Sequence, residues 1–146
     1  MFEKFSKLPF GKRLFSWIVS LKAPYFLTIR PRIEDLRSGR CEIHMKKRWS
    51  ITNHIGTVHA IAMCNLCELT AGLAMEWSLV KTRRWIPKEM KVQYLKKATT
   101  HLKAIVEFRP DSLVLGDNWI EVPVTDLNDQ VVMKASINMY VSQKSS

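Results

Sequence analysis

Residues 53–72 read NHIGTVHAIAMCNLCELTAG, and Glu68 is the one acid in a stretch otherwise suited to burial. From Thr57 to about Trp77 the chain has no proline and only Gly72 as a breaker, enough for five turns of helix. Thr57, preceded by Gly56, is the expected N-cap. Between Val58 and Met75 the only charged residue is Glu68, and the polar ones are His59, Asn65 and Thr70. A helix that is apolar on nearly every face must be surrounded by protein. The rest of the chain therefore has to wrap it.

The flanking sequence supplies the wrapping. Upstream, "YFLTIRPRIEDL" and "RCEIHMKKRW" read as two strands joined by a turn at Ser38-Gly39. Downstream, "WIPKEMKVQYLKKA", "THLKAIVEF", "NWIEVPVTDLN" and "QVVMKASINMYVSQ" show alternation or β-branched enrichment, with a hairpin turn at residues 127–130. At the N-terminus, Leu14, Phe15, Ile18 and Leu21 recur at helical spacing, predicting an amphipathic helix over residues 11–22 that Pro24 ends. The expected role of its apolar face is packing on the domain; contact with a membrane surface is the lesser alternative. The order predicts an α+β fold, an antiparallel sheet around one long central helix, in a single domain of residues 1–146 with residues 1–24 as a helical extension. Helix faces that the sheet leaves uncovered are expected to meet a partner subunit.

Composition narrows the functional classes. The 146 residues are 47% apolar and 25% charged, which is globular and excludes disorder. Apolar runs are too short to span a bilayer. Lys12, Arg13 and Lys22 break up the N-terminal patch that would otherwise resemble a signal peptide. Three cysteines cannot pair evenly, so a reduced, cytoplasmic setting is expected. The net charge of +10 calls for an anionic partner or a basic solvated surface. Its clusters at Lys46-Lys47-Arg48, Arg83-Arg84 and Lys96-Lys97 are scattered, and no nucleic-acid-binding module is present. Cys64-x-x-Cys67 lies mid-helix without a second ligand pair, so these thiols read as small buried hydrophobes and no metal is expected.

A carboxylate buried without a partner is costly and persists where it is paired or useful. Desolvation of Glu68 would raise its pKa and suit it to act as a base or nucleophile; pairing with an Arg or Lys from another strand is the structural alternative. His59 and Ala60 fall at the helix start, where free backbone N–H groups favour an oxyanion, and Asn53 precedes them in the loop. Oxyanion pocket, amide and carboxylate are together the parts for acyl transfer to water.

The pattern Asn53, Gly56, His59-Ala60-Ile61 and then Glu68, nine positions after the histidine, resembles the hotdog-fold thioesterases of the phenylacetate-pathway and 4-hydroxybenzoyl-CoA thioesterase type. "VQYLKKATTHLKAIVEF" is similar to their strand, turn and second strand, and the likeness runs from Asn53 to Val141; the N-terminal helix resembles the extension of a branch of unknown substrate. The resemblance implies that the Ala60 N–H polarises a thioester carbonyl, that Asn53 helps place the carbonyl or the water, and that His59 braces the loop. It also implies that Glu68 reaches the pocket from the neighbouring protomer as base or nucleophile. The site would lie across a homodimer, and two such dimers could pair into a tetramer. Coenzyme A would come as part of the substrate, with no separate cofactor, its phosphates on Arg83, Arg84, Lys96 and Lys97. Acyl carrier protein is an alternative carrier. Two departures stand out: Ala60-Ile61 replaces Gly-Gly, and Gly72 stands where the family often has Ser or Thr.

Two other readings stay open. His54 precedes Glu68 by fourteen positions, the spacing of hotdog dehydratases, but HIGTVH lacks their proline. A non-catalytic acyl-CoA or lipid-binding protein on the same fold is the rival from a different class.

Overall fold

The computed structural model describes residues 2–145. In chain order it runs α1 (Phe2–Ser6), α2 (Gly11–Lys22), a 3₁₀ turn (Pro24–Ile29), β1 (Arg32–Arg37), β2 (Arg40–Met45), a short 3₁₀ turn (Trp49–Ile51) and α3 (Ala60–Ser78). It then continues with β3 (Arg83–Tyr94), β4 (Leu102–Glu107), a 3₁₀ turn (Pro110–Ser112), β5 (Trp119–Thr125) and β6 (Val131–Gln143). The six strands form one antiparallel sheet in the order β1-β2-β4-β5-β6-β3. α3 packs across it, touching every strand. This is the hotdog arrangement expected from the sequence.

Alternation explains how the sheet wraps α3. Cys41, Ile43 and Met45 of β2, Leu102, Ala104 and Val106 of β4, and Ile120, Val122 and Val124 of β5 are buried, while the residues between them are more exposed. Successive strand side chains point to opposite faces, so each strand gives one row to the core. From α3 the core takes Leu66, Cys67, Ala71, Ala74 and Met75. The turn at Ser38-Gly39 forms as expected, with Gly39 in the left-handed region at φ 77°.

Three local expectations are corrected. Residues Tyr25–Ile29 form a 3₁₀ turn and not the start of a strand. Pro24 sits at its N-terminal end, the Thr28 hydroxyl donates to the Tyr25 carbonyl (2.8 Å), and the Arg48 guanidinium donates to the carbonyls of Ile29 (3.1 Å) and Thr28. These bonds capture carbonyls that a strand would have offered sideways. The α3 N-cap is His59, two residues after Thr57. The third correction concerns α2, which buries Gly11, Phe15, Ser16 and Ser20 and leaves Leu14, Trp17 and Leu21 about half exposed. Its larger apolar face therefore does not pack on the domain. The anchor is Phe15, whose ring meets those of Phe2 (5.1 Å), Phe5 (5.7 Å) and Trp77 (6.0 Å), tying α1 and α2 to the end of α3. A Cβ on Gly11 would overlap the Phe5 carbonyl, so only glycine allows α1 to cross there.

Candidate active site

The loop before α3 is held rigidly by its own groups. The Asn53 side-chain oxygen accepts from the Ile55 N–H (3.2 Å) and the Thr57 N–H (3.1 Å), and its amide nitrogen donates to the Thr57 hydroxyl (2.8 Å). The Gly56 N–H returns to the Asn53 carbonyl (3.0 Å), and Gly56 takes the positive φ of 75° that this tight turn requires. Thr57 is thus a member of the loop's network and not the helix cap. One N–H of the Asn53 amide stays free, while its oxygen is engaged twice. Farther on, the Val58 N–H donates to the Ala98 carbonyl (2.8 Å) and the His59 N–H to the Ile51 carbonyl (2.8 Å), pinning the loop on both sides.

His59 then starts the helix. Its Nδ1 accepts from the Ile61 N–H (3.1 Å), which satisfies one of the orphan donors of the first turn and requires the neutral ring to carry its proton on Nε2. Among the described residues nothing accepts from the Ala60 N–H. A free donor at the positive end of a 19-residue helix is a place for developing negative charge. The Ile61 side chain projects into solvent beside it, 53% exposed. The Ala-Ile departure thus puts a large apolar group on the surface beside the helix start and leaves the backbone donor free.

Glu68 lies on the same side of α3 as Ile61 and Cys64, and it is half-buried, not enclosed. The sheet does not surround this stripe as the sequence suggested. No Arg, Lys or hydrogen-bond donor of the described residues contacts the carboxylate, so the alternative of an ion pair within the chain is not realised. Along the helix Glu68 stands eight residues beyond Ala60, about 12 Å at 1.5 Å per residue. One thioester carbonyl and its attacking water cannot touch both groups of one chain. His54 lies exposed in the loop with no hydrogen bond to Glu68.

One turn before Glu68, the Cys64 thiol meets the Tyr94 hydroxyl of β3 at 3.6 Å. That contact, followed by burial, pushes the Tyr94 phenol up to about 12. One turn after Glu68 comes Gly72, where a Cβ would stand 2.7 Å from the Trp85 ring. The missing Ser or Thr thus has a steric reason: Trp85 occupies its space, with its indole N–H donating to Glu76 (3.1 Å). Cys67 is buried, and desolvation raises its thiol far above the ordinary range, as it does for Cys41. Among the described residues no group of His, Cys, Asp and Glu could hold a metal ion.

The basic residues expected at coenzyme A are not brought together within one chain. Arg83 and Arg84 open β3, where Arg83 donates to the Leu113 carbonyl (3.4 Å) and Arg84 to Ser142 (3.2 Å). Lys96 and Lys97 follow its far end, roughly 35 Å away for a strand of this length, and Lys96 donates to Gln130 (2.8 Å). The sequence reading missed a cleft of ≈ 1170 Å³ between α2, the Pro24–Ile29 turn and the ends of β2 and β4. Lys46, Lys47 and Arg48 line it, so the basic run noted in the sequence was its signal.

A family model described as a domain of unknown function, DUF4442, matches residues 11–141. The chain belongs to this family. No curated protein matches the sequence. Among solved structures, this DUF4442 protein is similar to a structural-genomics protein at 38% identity and a TM-score of 0.88, over 98% of this chain and 96% of the other. A Pseudomonas aeruginosa protein, described as of unknown function and a probable thioesterase, superposes with a TM-score of 0.82 at 21% identity, over 94% and 97% of the two chains. A Streptococcus mutans protein whose structure holds acetyl CoA superposes with a TM-score of 0.68 at 19% identity, over 80% of this chain and 91% of the other. The DUF4442 chain therefore shares the fold of proteins named as thioesterases. No helix of the described residues is long and apolar enough to cross a membrane.

Proposed function

We propose that the protein hydrolyses an acyl-CoA thioester at a site shared by two copies of the chain. The observation that carries this reading is the pairing, on one helix, of an unengaged Ala60 N–H and an unpaired Glu68 carboxylate too far apart to act within one chain. A two-fold arrangement brings the partner's acid towards the first chain's oxyanion donor. The fold shared with a protein named as a thioesterase and with one that binds acetyl CoA supports the same reaction class and carrier.

The open edge of the sheet supports the dimer. β3 is 12 residues long, pairs among the described residues with β6 alone, and leaves Ile86 58% and Tyr94 51% exposed. An unpaired strand of this kind is a template for pairing with another chain. Antiparallel pairing of two β3 strands would also set Arg83 and Arg84 of one chain near Lys96 and Lys97 of the other, which answers their separation within a chain.

In the reaction Glu68 takes a proton from water as the water oxygen bonds to the thioester carbon. The carbonyl electrons move to oxygen, where the Ala60 N–H and the helix dipole stabilise them. Collapse of the intermediate breaks the C–S bond; the carboxylate returns the proton to the leaving thiolate, giving the free acid and the thiol. His59 acts by capping and orienting the first turn, and Asn53 by holding the loop, with one amide N–H left for the carbonyl or the water.

The test is thiol release from a panel of short, medium, long and aromatic acyl-CoAs by the protein and its Glu68→Gln variant. Turnover that falls about 100-fold or more in the variant is the expected result, the size of effect that loss of a general base produces. Binding of acyl-CoA by both proteins without thiol release would leave a non-catalytic binding protein.

A further inference from the structure

The cleft beside α2 lies outside the residues assigned to hydrolysis, and its charge is unbalanced. Arg13, Arg30, Lys46, Lys47 and Arg48 line it, and none of them has a carboxylate partner among the described residues. The acids on its wall are already committed. Asp129 is bound by Lys103 at 2.6 Å, and the inner oxygen of Asp126 accepts from the Asn128 N–H (2.8 Å) and the Gln130 N–H (3.0 Å) of its own turn. Arg32, at the rim, is paired with Glu34.

Arg48 makes the imbalance specific. Its terminal nitrogens are spent on the Ile29 and Thr28 carbonyls, while its Nε–H is buried with no acceptor. An orphaned buried donor costs about 1–3 kcal/mol, and more when it belongs to a cation. Burial first, and then the neighbouring Arg30 charge, hold the Arg48 guanidinium below its usual value. Like charges gathered without an acid are relieved by an anion from outside the chain. The Arg30 guanidinium, which has no hydrogen-bond or ion-pair partner among the described residues, can present a fork of N–H groups to phosphate oxygens.

The walls add a second requirement. Trp17 and Leu27 on one side and Leu127 on the other present apolar surface to the same space, and Trp17 is 56% exposed. The volume, ≈ 1170 Å³, exceeds what an inorganic ion fills and is of the order that organic ligands occupy. We propose that this cleft binds the phosphorylated end of an amphiphilic ligand, with Arg30 and Lys46 meeting the phosphate, Arg48 adding its charge from behind them, and Trp17 and Leu27 meeting the apolar part.

Two sources carry this chemistry: the bisphosphate end of coenzyme A, which would deepen the hydrolase reading, and the headgroup of an anionic phospholipid, which does not depend on it. The experiment titrates the protein with adenosine 3′,5′-bisphosphate by calorimetry, and sediments it with vesicles of phosphatidylcholine alone or with one quarter phosphatidylglycerol. Binding of either probe that weakens with salt, and about tenfold or more in the Arg30→Glu/Lys46→Glu variant, is the expected result. The probe that responds names the source. Arg13→Glu, an exposed change on α2, serves as a second variant, and thermal midpoints show that each protein is folded.

No binding of either probe by the wild-type protein, or binding that the charge reversals leave unchanged, would overturn the proposal. The Glu68→Gln variant separates this outcome from failure of the hydrolase reading, because it should bind the probe as the wild type does. If acyl-CoA turns over but its KM is unmoved by the charge reversals, and no vesicle binds, the cleft proposal falls while the hydrolase reading stands.

Discussion

The two edges of the sheet are treated in opposite ways. At β1 the chain closes its own edge: α2 lies against the strand, the Ile33 N–H donates to the Ser16 hydroxyl (2.8 Å), and a bulge between Ile33 and Asp35 interrupts the register. Lys12 reaches Glu34 across the same contact (3.1 Å). β3 carries a bulge as well, between Pro87 and Glu89, but no element of the described residues covers its edge. Its lysines do not guard it either, since Lys88 pairs with Asp117 (3.1 Å) and Lys91 lies over the Trp119 ring (4.4 Å). Proteins blunt exposed edges with charges, bulges or covering elements. With one edge covered by a whole helix and the other uncovered, the β3 side is the one on which the proposed dimer would pair. The stripe of α3 that carries Glu68 faces that side, through Cys64 beside Tyr94 and Gly72 beside Trp85.

The largest effects test whether the open edge completes the site. Ala60→Pro removes the oxyanion N–H with little cost to the fold, because proline suits the first position of a helix and His59 already has the extended backbone (φ −64°, ψ 137°) that a following proline demands. The expected loss in kcat is about 10²–10³-fold, as for removal of one oxyanion donor. Mixing that protein with Glu68→Gln under conditions of subunit exchange should restore activity, towards about a quarter of wild type, since mixed dimers carry one site free of both changes. If both groups served one chain's site, the mixture would stay inactive. Recovery measured against mixing ratio decides between the two.

Two smaller changes probe the edges separately. Gly72→Ser puts back the residue type common in the family and forces its Cβ against Trp85, with an expected destabilisation of about 1–3 kcal/mol for overpacking. Adding Trp85→Phe should recover part of the loss, which denaturant melts of the single and double variants would show. On the closed side, Ser16→Ala leaves the buried Ile33 N–H without an acceptor and should cost about 1–2 kcal/mol. A melt unchanged by Ser16→Ala would mean that α2 does not close β1 through this bond.

How much of this was legible in the sequence follows from how far each interaction reaches. α3 could be read because its signals are local: no proline, a single glycine and few polar residues; its cap is His59, two residues after the expected Thr57. The strands of the sheet were legible by alternation, apart from Tyr25–Ile29, where β-like composition lost to carbonyl capture by Arg48, a residue about twenty positions away. The loop motif placed Asn53, His59, Ala60 and Glu68 on one loop and the helix that follows it, as the structure has them, because their spacing is short along the chain. Their surroundings were not legible. That Glu68 finds no partner among the described residues depends on which side chains the strands bring to its face of α3, and the fit of Gly72 depends on a tryptophan thirteen residues later in the sequence. The cleft beside α2 gathers Arg13, Arg30 and Lys46 from separate elements, and charge clusters read along the chain show only the last of these.

The smallest expected effect bears on the closed edge, because α2 there follows shape over apolarity. Periodicity reveals that a helix has an apolar face; it does not say which face the domain will choose. α2 has two: Leu14, Trp17 and Leu21, which are large, and Gly11, Phe15, Ser16 and Ser20, which are small except for one ring. The second packs because small residues let the helix approach β1 and α1 closely, while Phe15 fills the space between Phe2, Phe5 and Trp77. Leu14→Glu therefore exchanges a side chain that is 48% exposed and should move the unfolding free energy by no more than about 0.5 kcal/mol. Had Leu14 been in the packed face, burying the same carboxylate would cost several kcal/mol. A large loss on Leu14→Glu would mean that the outer face of α2 is covered in solution, and would make both edges of the sheet places where a second chain sits.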